Sequence, residues 1–522
     1  MIGRLVLSDR NIFKIKSNDK QVSARKCNIL SESKPDILVK TAKEFNSKDE
    51  YIKFNPLTNT LIEGLGQVGL INNDLDIYYH LFTNGWTSKS KYSKLWTDYL
   101  ETETYDLAIS NNTKRVNYPN KVITIDPDGS VDLDDGFSFT FNDDFWYLDI
   151  HIADPVSWFN FSNKKFNQIF KELIMRLQSC YITQSNNHEP THLLPTNIVN
   201  LVSLLEIKSY SIIKSRRAIT FQFKISKQTK KIIDFNIAFT NLTDIKNYTY
   251  SQYDEFINSV FNYELKIELV KLINVLRDIM GLSEQTYPNV VDSINISHVM
   301  IEIFMILINW KGGDYLINNL EKPNTIIRTQ DKKDLGEDFD IQKVPEYARP
   351  YLSSSANYIK YSISKTQKHY SLGISNYSHL SSPMRRFIDM LNHLGFYGID
   401  LENIKYLDLD LDMDKINSQI RKQKKISNGW NLVKFIKSYP ELNKFKACLF
   451  DWNTSTGTST NKINGLLVLK NNEQEFISMV NVELPQIEST TDLRKYMEWD
   501  IELYYNSSNF KSSKFPFSIK II

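Results

Sequence analysis

Five aspartates lie within ten residues of one another, and this cluster constrains the chain more than any other feature. Residues 125–136 read I-D-P-D-G-S-V-D-L-D-D-G, directly after an alternating run at 121–125 that predicts a β-strand. Like charges at this density raise one another's pKa unless a cation compensates them. The pattern therefore predicts either a divalent-metal site or a solvated acidic turn at the end of that strand.

The acidic side chains can converge only if the backbone bends. On a straight strand, Asp132 and Asp134 would point to one face and Asp135 to the other. Two features predict the bend: the segment 126–129 has the x-Pro-Asp-Gly form of a tight turn, and Gly136 frees the backbone after the last acidic pair.

On this interpretation Asp128 is a turn residue. The remaining candidates for metal ligands are Asp126, Asp132, Asp134 and Asp135. Ligation by oxygen alone suits Mg²⁺ or Mn²⁺ better than zinc. A calcium loop of the EF-hand type does not fit, because Val131 occupies the position that such a loop reserves for glycine.

A second stretch, residues 377–393, reads Y-S-H-L-S-S-P-M-R-R-F-I-D-M-L-N-H. Ser382 is a good N-cap and is followed by proline, so we expect a helix to start there. Arg385, Asp389 and His393 would then share one face, with Arg385 in the first turn, where a cation opposes the helix dipole unless it faces an anion. The alternative is an ordinary Arg–Asp pair on the surface of a helix.

Together the two stretches resemble the RNB domain of the ribonuclease II and ribonuclease R superfamily of 3′→5′ exoribonucleases. They are similar to the family blocks T-I-D-P-x-x-x-x-D-x-D-D and Y-x-H-F-T-S-P-I-R-R-Y-x-D. Further similar blocks follow in family order: H-I-A-D at 151–154, S-C-Y at 179–181, L-P at 194–195, S-L at 203–204, the helix around 300–309 and I-R at 327–328.

The resemblance implies a Mg²⁺-dependent exonuclease that hydrolyses single-stranded RNA to nucleoside 5′-monophosphates with two metal ions. By family position, Asp126 and Asp135 would hold one ion, and Asp132 and Asp134 would bind or position the second. Arg385 would grip the phosphate, with Arg386 as the fallback. The alternative is an inactive relative that binds RNA on its barrels without cutting it.

The family position of three other residues implies contacts with RNA. Tyr181 would stack on the 3′-terminal base, although a buried core tyrosine is equally compatible with the pattern. Glu302 would contact the terminal ribose, but Ile303 replaces the second glutamate of the family pair. Arg328 and Arg386 complete the expected set of RNA-binding residues.

The predicted fold is an α+β multidomain chain. We expect a central RNB catalytic domain at 101–440, a mixed sheet with surrounding helices, between two small OB-type β-barrels. The N-terminal barrel, of cold-shock type, and its linker would occupy residues 1–100, and the C-terminal barrel, of S1 type, residues 441–522. A basic helical run is predicted at 413–437.

Composition limits the class of protein further. The net charge of +2 neither requires nor excludes nucleic acid, because an acidic site and a basic groove can cancel. The three cysteines have no paired spacing, the N-terminus has no signal-peptide pattern, and the longest apolar run is too short to cross a bilayer. We therefore expect an intracellular, cytoplasmic monomer with no membrane partner. Abundant Asn, Ile, Lys and Tyr is equally compatible with an organellar or viral origin.

Residues 188–192, His-Glu-Pro-Thr-His, match the H-E-x-x-H motif of zinc proteases letter for letter. That motif functions only when both histidines lie on one face of a helix. Pro190 disfavours a helical backbone at Glu189, so we expect an irregular loop and no zinc site.

Overall fold

The structure, a computed structural model, describes most of the chain. The described residues are 1–7, 12–17, 20–30, 35–41, 48–83, 94–98, 114–159, 164–184, 186, 189–208, 213–283, 287, 290, 296–319, 325–332, 340–362, 367–399, 411–455, 462–484, 493–505 and 517–522.

The N-terminal part folds into a six-stranded sheet of order β1-β5-β6-β4-β3-β2. Its strands are β1 (Ile2–Leu5), β2 (Phe13–Ser17), β3 (Lys20–Ile29), β4 (Ile37–Lys40), β5 (Glu50–Asn55) and β6 (Thr60–Gln67). Because β1 also pairs with β3, the sheet closes on itself around a core that includes Leu5, Val39 and Phe54. Helix α1 (Ile71–Phe82) follows.

The centre of the molecule is a seven-stranded mixed sheet of order β13-β8-β9-β10-β11-β12-β7. Its strands are β7 (Val116–Asn117), β8 (Val122–Asp126), β9 (Asp135–Phe141), β10 (Phe145–Ala153), β11 (Arg216–Ser226), β12 (Ile232–Leu242) and β13 (Ile245–Thr249). The strands from β8 to β12 are antiparallel, whereas β13 and β7 pair in parallel at the two edges.

In the described part of the chain, helices pack against both faces of this sheet. Side chains that alternate along the strands, such as Leu148, Ile150 and Ile152, pack against three helices, α4 (Tyr250–Ile257), α5 (Tyr263–Met280) and α6 (Ser297–Asn319). On the opposite face, the helices of the described part of the chain pack against the end near Ala153 and Ala218; they are α2 (Lys164–Arg176), α3 (Thr196–Val202) and α7 (Phe387–Phe396).

Two small two-stranded sheets complete the central part of the fold. They consist of β14 (Ile326–Thr329) with β15 (Asn357–Lys360), and β16 (Lys368–His369) with β17 (Ile374–Ser375). The predicted basic helix is confirmed as α8 (Met413–Ser438), which leads into the last part of the chain.

The C-terminal strands form a closed five-stranded barrel of order β18-β19-β20-β22-β21. They are β18 (Lys444–Ser455), β19 (Lys462–Asn471), β20 (Phe476–Glu483), β21 (Glu498–Tyr505) and β22 (Phe517–Ile521). The α+β architecture with flanking barrels is thus confirmed, while the domain boundaries at 100 and 440 stay predictions.

One buried carboxylate links the two barrels. Asp74 of α1 is fully buried and accepts hydrogen bonds from the hydroxyls of Tyr51, on β5, and Tyr505, on β21. Burial raises the pKa of Asp74, and both tyrosines oppose that rise.

Two further observations concern the described residues alone. Cys27, Cys180 and Cys448 are buried free thiols. None of the helices in this part of the chain has the length and apolar character of a transmembrane segment.

Candidate active site

The acidic stretch forms the connection between two neighbouring strands. Asp126 is the last residue of β8 and Asp135 the first of β9. Between them a turn is present one residue later than predicted, over residues 127–130: Ser130 N donates to Pro127 O at 3.2 Å, and Gly129 adopts a left-handed backbone with φ of 77°.

Backbone contacts hold the second half of this loop in place. Ser203 Oγ accepts from Leu133 N at 2.9 Å, and Leu204 N donates to Leu133 O at 3.0 Å. Ala153 N donates to Asp134 O at 2.7 Å. The H-I-A-D and S-L blocks of the sequence therefore position the acidic loop.

The expected role of Gly136 as a flexible joint was wrong. Gly136 lies in β9 and is not among the glycines with positive φ. A Cβ atom at this position would lie 2.9 Å from Val122 Cγ1 and 3.1 Å from Ile123 O. The missing side chain at Gly136 lets β8 approach β9 closely, and Asp126 and Asp135 lie near enough to affect each other's pKa.

The second stretch does not start a helix where the sequence predicted. Helix α7 begins at Phe387, so Arg385 lies in the turn before the helix and not in its first turn. The N–H of Ser382 donates to the Asp389 carboxylate at 2.8 Å, which makes the aspartate the acceptor in this turn. Asp389 and His393 are fully buried, which excludes a surface ion pair.

Pairing with a distant segment explains this correction. Gln178 forms an isolated bridge with Arg386, Ser179 N donates to Arg385 O at 3.0 Å, and Phe387 N donates to Leu177 O at 2.8 Å. These contacts accompany an extended backbone at Arg386 (φ −131°, ψ 122°) and delay the start of the helix. They also place both arginines beside the S-C-Y segment.

Arg385 faces the acidic loop. Its Nε lies 3.7 Å from Asp134 Oδ2, and Met384 N donates to Asp134 Oδ1 at 2.8 Å. The two side chains differ in exposure: the Arg385 side chain is 47% exposed and that of Asp134 only 4%. The guanidinium is therefore free to meet a ligand that approaches Asp134 from solvent.

Arg386 is held by the protein itself. It donates to both carboxylate oxygens of Asp389, at 2.9 and 2.8 Å, and to Ser381 Oγ at 3.2 Å. A bidentate pair of this kind satisfies both charges. RNA binding by Arg386 stays a prediction, but Arg385 is better placed to grip a phosphate.

The four ligand candidates are in electrostatic contact. Burial, with Asp135 and Asp132 nearby, raises the pKa of Asp126, and Arg385 opposes the rise. Burial also raises the pKa of Asp134 and of Asp135, again against Arg385. These carboxylates resist ionisation unless a cation joins them.

Asp132 is the exception, because two side chains bind it. Tyr181 Oη donates to Asp132 Oδ2 at 2.7 Å, and His192 Nδ1 lies 3.3 Å from the same oxygen. Burial alone would raise the pKa of Asp132, but these two contacts outweigh it and lower the pKa. Tyr181 is 50% exposed, which excludes a core tyrosine and leaves its ring accessible for stacking.

The donor set fits a hard divalent cation. Asp126 Oδ2 and Asp134 Oδ2 are buried and have no hydrogen-bond partner among the described residues, which is costly unless a ligand compensates. In the same part of the chain, no three acidic, histidine or cysteine side chains are close enough to enclose an ion together.

The remaining predicted residues lie on other elements. Glu302 is on the exposed side of α6 and accepts from Tyr287 Oη at 3.0 Å, whereas Ile303 is buried in the core. Arg328 lies on β14, with its guanidinium 5.1 Å from the centre of the Tyr358 ring. Glu302 is thus the exposed member of the family pair.

The zinc-protease interpretation is excluded by the backbone. His188 lies outside the described residues, and residues 189–195 are not helical. His192 instead contacts Asp132. The sequence did not predict this contact, because the only pattern that drew attention to His192 was the zinc-protease motif. Tyr250 was also missed: burial raises its pKa to about 12, with Asp135 and Asp126 contributing.

The fold and the site together define an α+β protein with a buried acidic loop. The carboxylates of this loop affect one another's pKa and face the exposed Arg385. Residues 115–397, more than half of the chain, match the RNB domain family. The chain belongs to the RNB domain family.

Comparisons with individual proteins agree with this assignment. Ribonuclease R of Mycoplasmopsis pulmonis is 24% identical over 335 residues, which cover 52% of this chain but only 43% of that protein. Mycoplasma genitalium RNase R in complex with ribose-methylated single-stranded RNA is similar in fold (TM-score 0.65, 14% identity), over 100% of this chain and 89% of that one. Yeast Ssd1, described as a pseudonuclease, is similar over 98% of this chain and 69% of its own (TM-score 0.57, 15% identity).

Proposed function

We propose that this chain is a Mg²⁺- or Mn²⁺-dependent 3′→5′ exoribonuclease, which hydrolyses single-stranded RNA to nucleoside 5′-monophosphates inside the cell as a monomer. The observation that carries the proposal is a pair of buried oxygens, Asp126 Oδ2 and Asp134 Oδ2, which lie beside an exposed guanidinium and accept no hydrogen bond from any described residue. A surface that only binds RNA has no use for such a cluster.

Each carboxylate has a place in the proposed mechanism. Asp126 and Asp135 would hold one ion, and Asp132 and Asp134 would bind or position the second. When bound, the ions supply an activated water and neutralise charge on the leaving oxygen. Arg385 grips the phosphoryl oxygens from the solvent side, where a planar guanidinium can contact two of them as charge develops.

Substrate contacts extend the proposal to the RNA. The half-exposed ring of Tyr181 stacks on the terminal base, and its hydroxyl keeps Asp132 in place. Glu302 contacts the terminal ribose, and its Tyr287 partner fixes its orientation. Arg328 binds the RNA further along the strand.

Product analysis tests the proposal. A 5′-labelled single-stranded RNA and a DNA of the same sequence are incubated with the full chain, with and without Mg²⁺. We expect stepwise shortening of the RNA from its 3′ end, release of 5′-monophosphates, and no reaction without the metal. Tight RNA binding with no cleavage at any Mg²⁺ or Mn²⁺ concentration would instead assign the chain to the RNA-binding class without nuclease activity.

A further inference from the structure

One part of the central sheet, against which none of the described helices packs, carries two complete rows of side chains. The strand register places Ser138, Asp149, Gln222 and Asn236 opposite one another across β9 to β12. The next row consists of Thr140, Tyr147, Lys224 and Asp234. These rows lie towards the opposite end of the sheet from the acidic loop, because Asp135 pairs with Ile152 and Phe141 pairs with Trp146.

A cavity of about 610 Å³ lies over these two rows. Tyr118 and Asn120, which follow β7, form one side of it. Its volume is in the range of small-molecule sites, and it is large enough for a nucleoside. None of the proposed catalytic residues lines it.

A chain of hydrogen bonds fixes a carboxylate within the cavity. Asn236 Nδ2 donates to Gln222 Oε1 at 3.0 Å, Gln222 Nε2 to Asp149 Oδ2 at 3.5 Å, and Tyr118 Oη to the same oxygen at 2.6 Å. A carboxylate offers about four acceptor positions, so Asp149 can still accept from a ligand. Its position is set before any ligand arrives, which lowers the entropic cost of binding.

The charge of the lining selects against anions. Among the described lining residues there are two carboxylates, Asp149 and Asp234, and one cation, Lys224, whose ammonium lies 4.1 Å from the centre of the Phe145 ring and 5.8 Å from that of Tyr147. A phosphate would be repelled from the interior. A neutral, planar group with several N–H donors fits, because Asp149 accepts hydrogen bonds and the half-buried Tyr147 offers an aromatic surface.

We propose that this cavity is a second, non-catalytic RNA site that binds an unpaired guanine base. Among the bases, guanine presents two adjacent N–H donors to a single carboxylate, and its ring can stack on Tyr147 while the phosphates stay outside. The proposal rests on the proposed function only in taking RNA as the polymer.

Nucleoside binding tests the site without phosphate or metal. Guanosine and adenosine are titrated into the full chain by calorimetry in metal-free buffer. We expect guanosine to bind at least about tenfold more tightly than adenosine. Asp149→Asn, which keeps an acceptor for Tyr118, should weaken guanosine binding roughly tenfold to a hundredfold, as for a lost charged hydrogen bond. Asp143→Asn, in the exposed turn before β10, is the matched control and should change nothing.

Other outcomes overturn the proposal. Equal binding of both nucleosides, no binding of guanosine, or an unchanged affinity in Asp149→Asn would each do so. Should Asp149→Asn unfold, Tyr147→Leu replaces it, with the same expected loss of guanosine affinity. If an arginine-containing peptide binds the cavity and guanosine does not, the cavity is a protein-binding site.

The exonuclease assay separates this proposal from the proposed function. Asp149→Asn should degrade a pentanucleotide at the unaltered rate, since it leaves the acidic loop intact. It should bind a long guanine-rich RNA more weakly than the unaltered chain does. Absence of turnover in the unaltered chain would overturn the nuclease and leave the guanosine result standing.

Discussion

Buried carboxylates at the two ends of the central sheet differ in their hydrogen-bond donors and in the direction of their pKa shifts. At the end that carries the loop from β8 to β9, Asp126 and Asp134 each keep an oxygen with no donor among the described residues, and their pKa values are raised. At the other end, Glu268 of α5 accepts from Trp146, Lys227 and Lys271. Burial alone would raise the pKa of Glu268, but these donors lower it to about 2.

This contrast distinguishes a carboxylate with a structural role, Glu268, from carboxylates with a proposed catalytic role, Asp126 and Asp134. The chain neutralises the carboxylate it needs for packing with its own donors. At the other end it leaves Asp126 Oδ2 and Asp134 Oδ2 with no hydrogen-bond donor among the described residues, which costs stability unless a cation arrives from outside. The predictions below test each side of this contrast.

The largest effect is expected for a catalytic carboxylate. Asp134→Asn should reduce RNA turnover on the order of a thousandfold or more while RNA binding is retained, because the amide cannot supply the negative charge that holds a cation. Single-turnover kinetics and filter binding measure the two effects. Asp128→Asn, in the turn of the same loop, is the matched control, and equal losses in both variants would contradict the assignment.

Substitution of the two neighbouring arginines should affect different properties, turnover for Arg385 and stability for Arg386. Arg385→Gln should lower turnover by about a hundredfold to a thousandfold, with the free energy of unfolding almost unchanged. Arg386→Gln should lower that free energy by about 3–5 kcal/mol, because it leaves the fully buried Asp389 without its cation. Urea unfolding and initial rates, measured on both variants, decide the matter, and a reversed pattern would make Arg386 the phosphate ligand.

Divalent metal should stabilise the acidic end. At a hundred times its Kd, Mg²⁺ should raise the free energy of unfolding by about 2.7 kcal/mol per site. Asp126→Asn should be more stable than the unaltered chain without metal, since it removes a repelled carboxylate, and should respond less to Mg²⁺. Thermal unfolding at constant ionic strength measures both, and an identical response in the two proteins would reject Asp126 as a ligand.

The smallest change in stability is expected at Glu268, whose carboxylate has its own hydrogen-bond donors. The folded-state pKa of Glu268, about 2, lies below its ordinary value of 4.5, so its stabilisation is present above pH 4.5 and is lost as pH falls towards 2. Glu268→Gln should therefore cost about 1 kcal/mol at neutral pH, a value reduced by the exposure of Lys271, and much less near pH 2. Glu264→Gln, on the exposed side of the same helix, is the control in unfolding experiments across that range.

Local pattern predicted much of the fold. The β8 strand, the turn after it (to within one residue) and all five strands of the C-terminal barrel follow from alternation and turn residues that act within a few positions. The acidic loop was found for the same reason, since its residues are contiguous.

Contacts between distant residues explain the errors. The preference for serine at the N-cap predicted a helix start at Ser382. Pairing with residues 177–179 and the hydrogen bond from Ser382 N to Asp389 instead hold residues 382–386 in a non-helical turn. The contact of His192 with Asp132 joins residues that are 60 apart, so no local signal could predict it. The tight packing of Gly136 against Val122 likewise depends on the neighbouring strand.

The shared carboxylate of Asp74 has a consequence for how the molecule can be divided. Its two tyrosine donors come from opposite ends of the sequence, so deletion of either barrel would strip a fully buried acid of half of its hydroxyl partners. The barrels are therefore not interchangeable modules. Each barrel supplies one of the two hydroxyls that hydrogen-bond to Asp74. A foreign domain in place of either barrel would have to supply an equivalent donor.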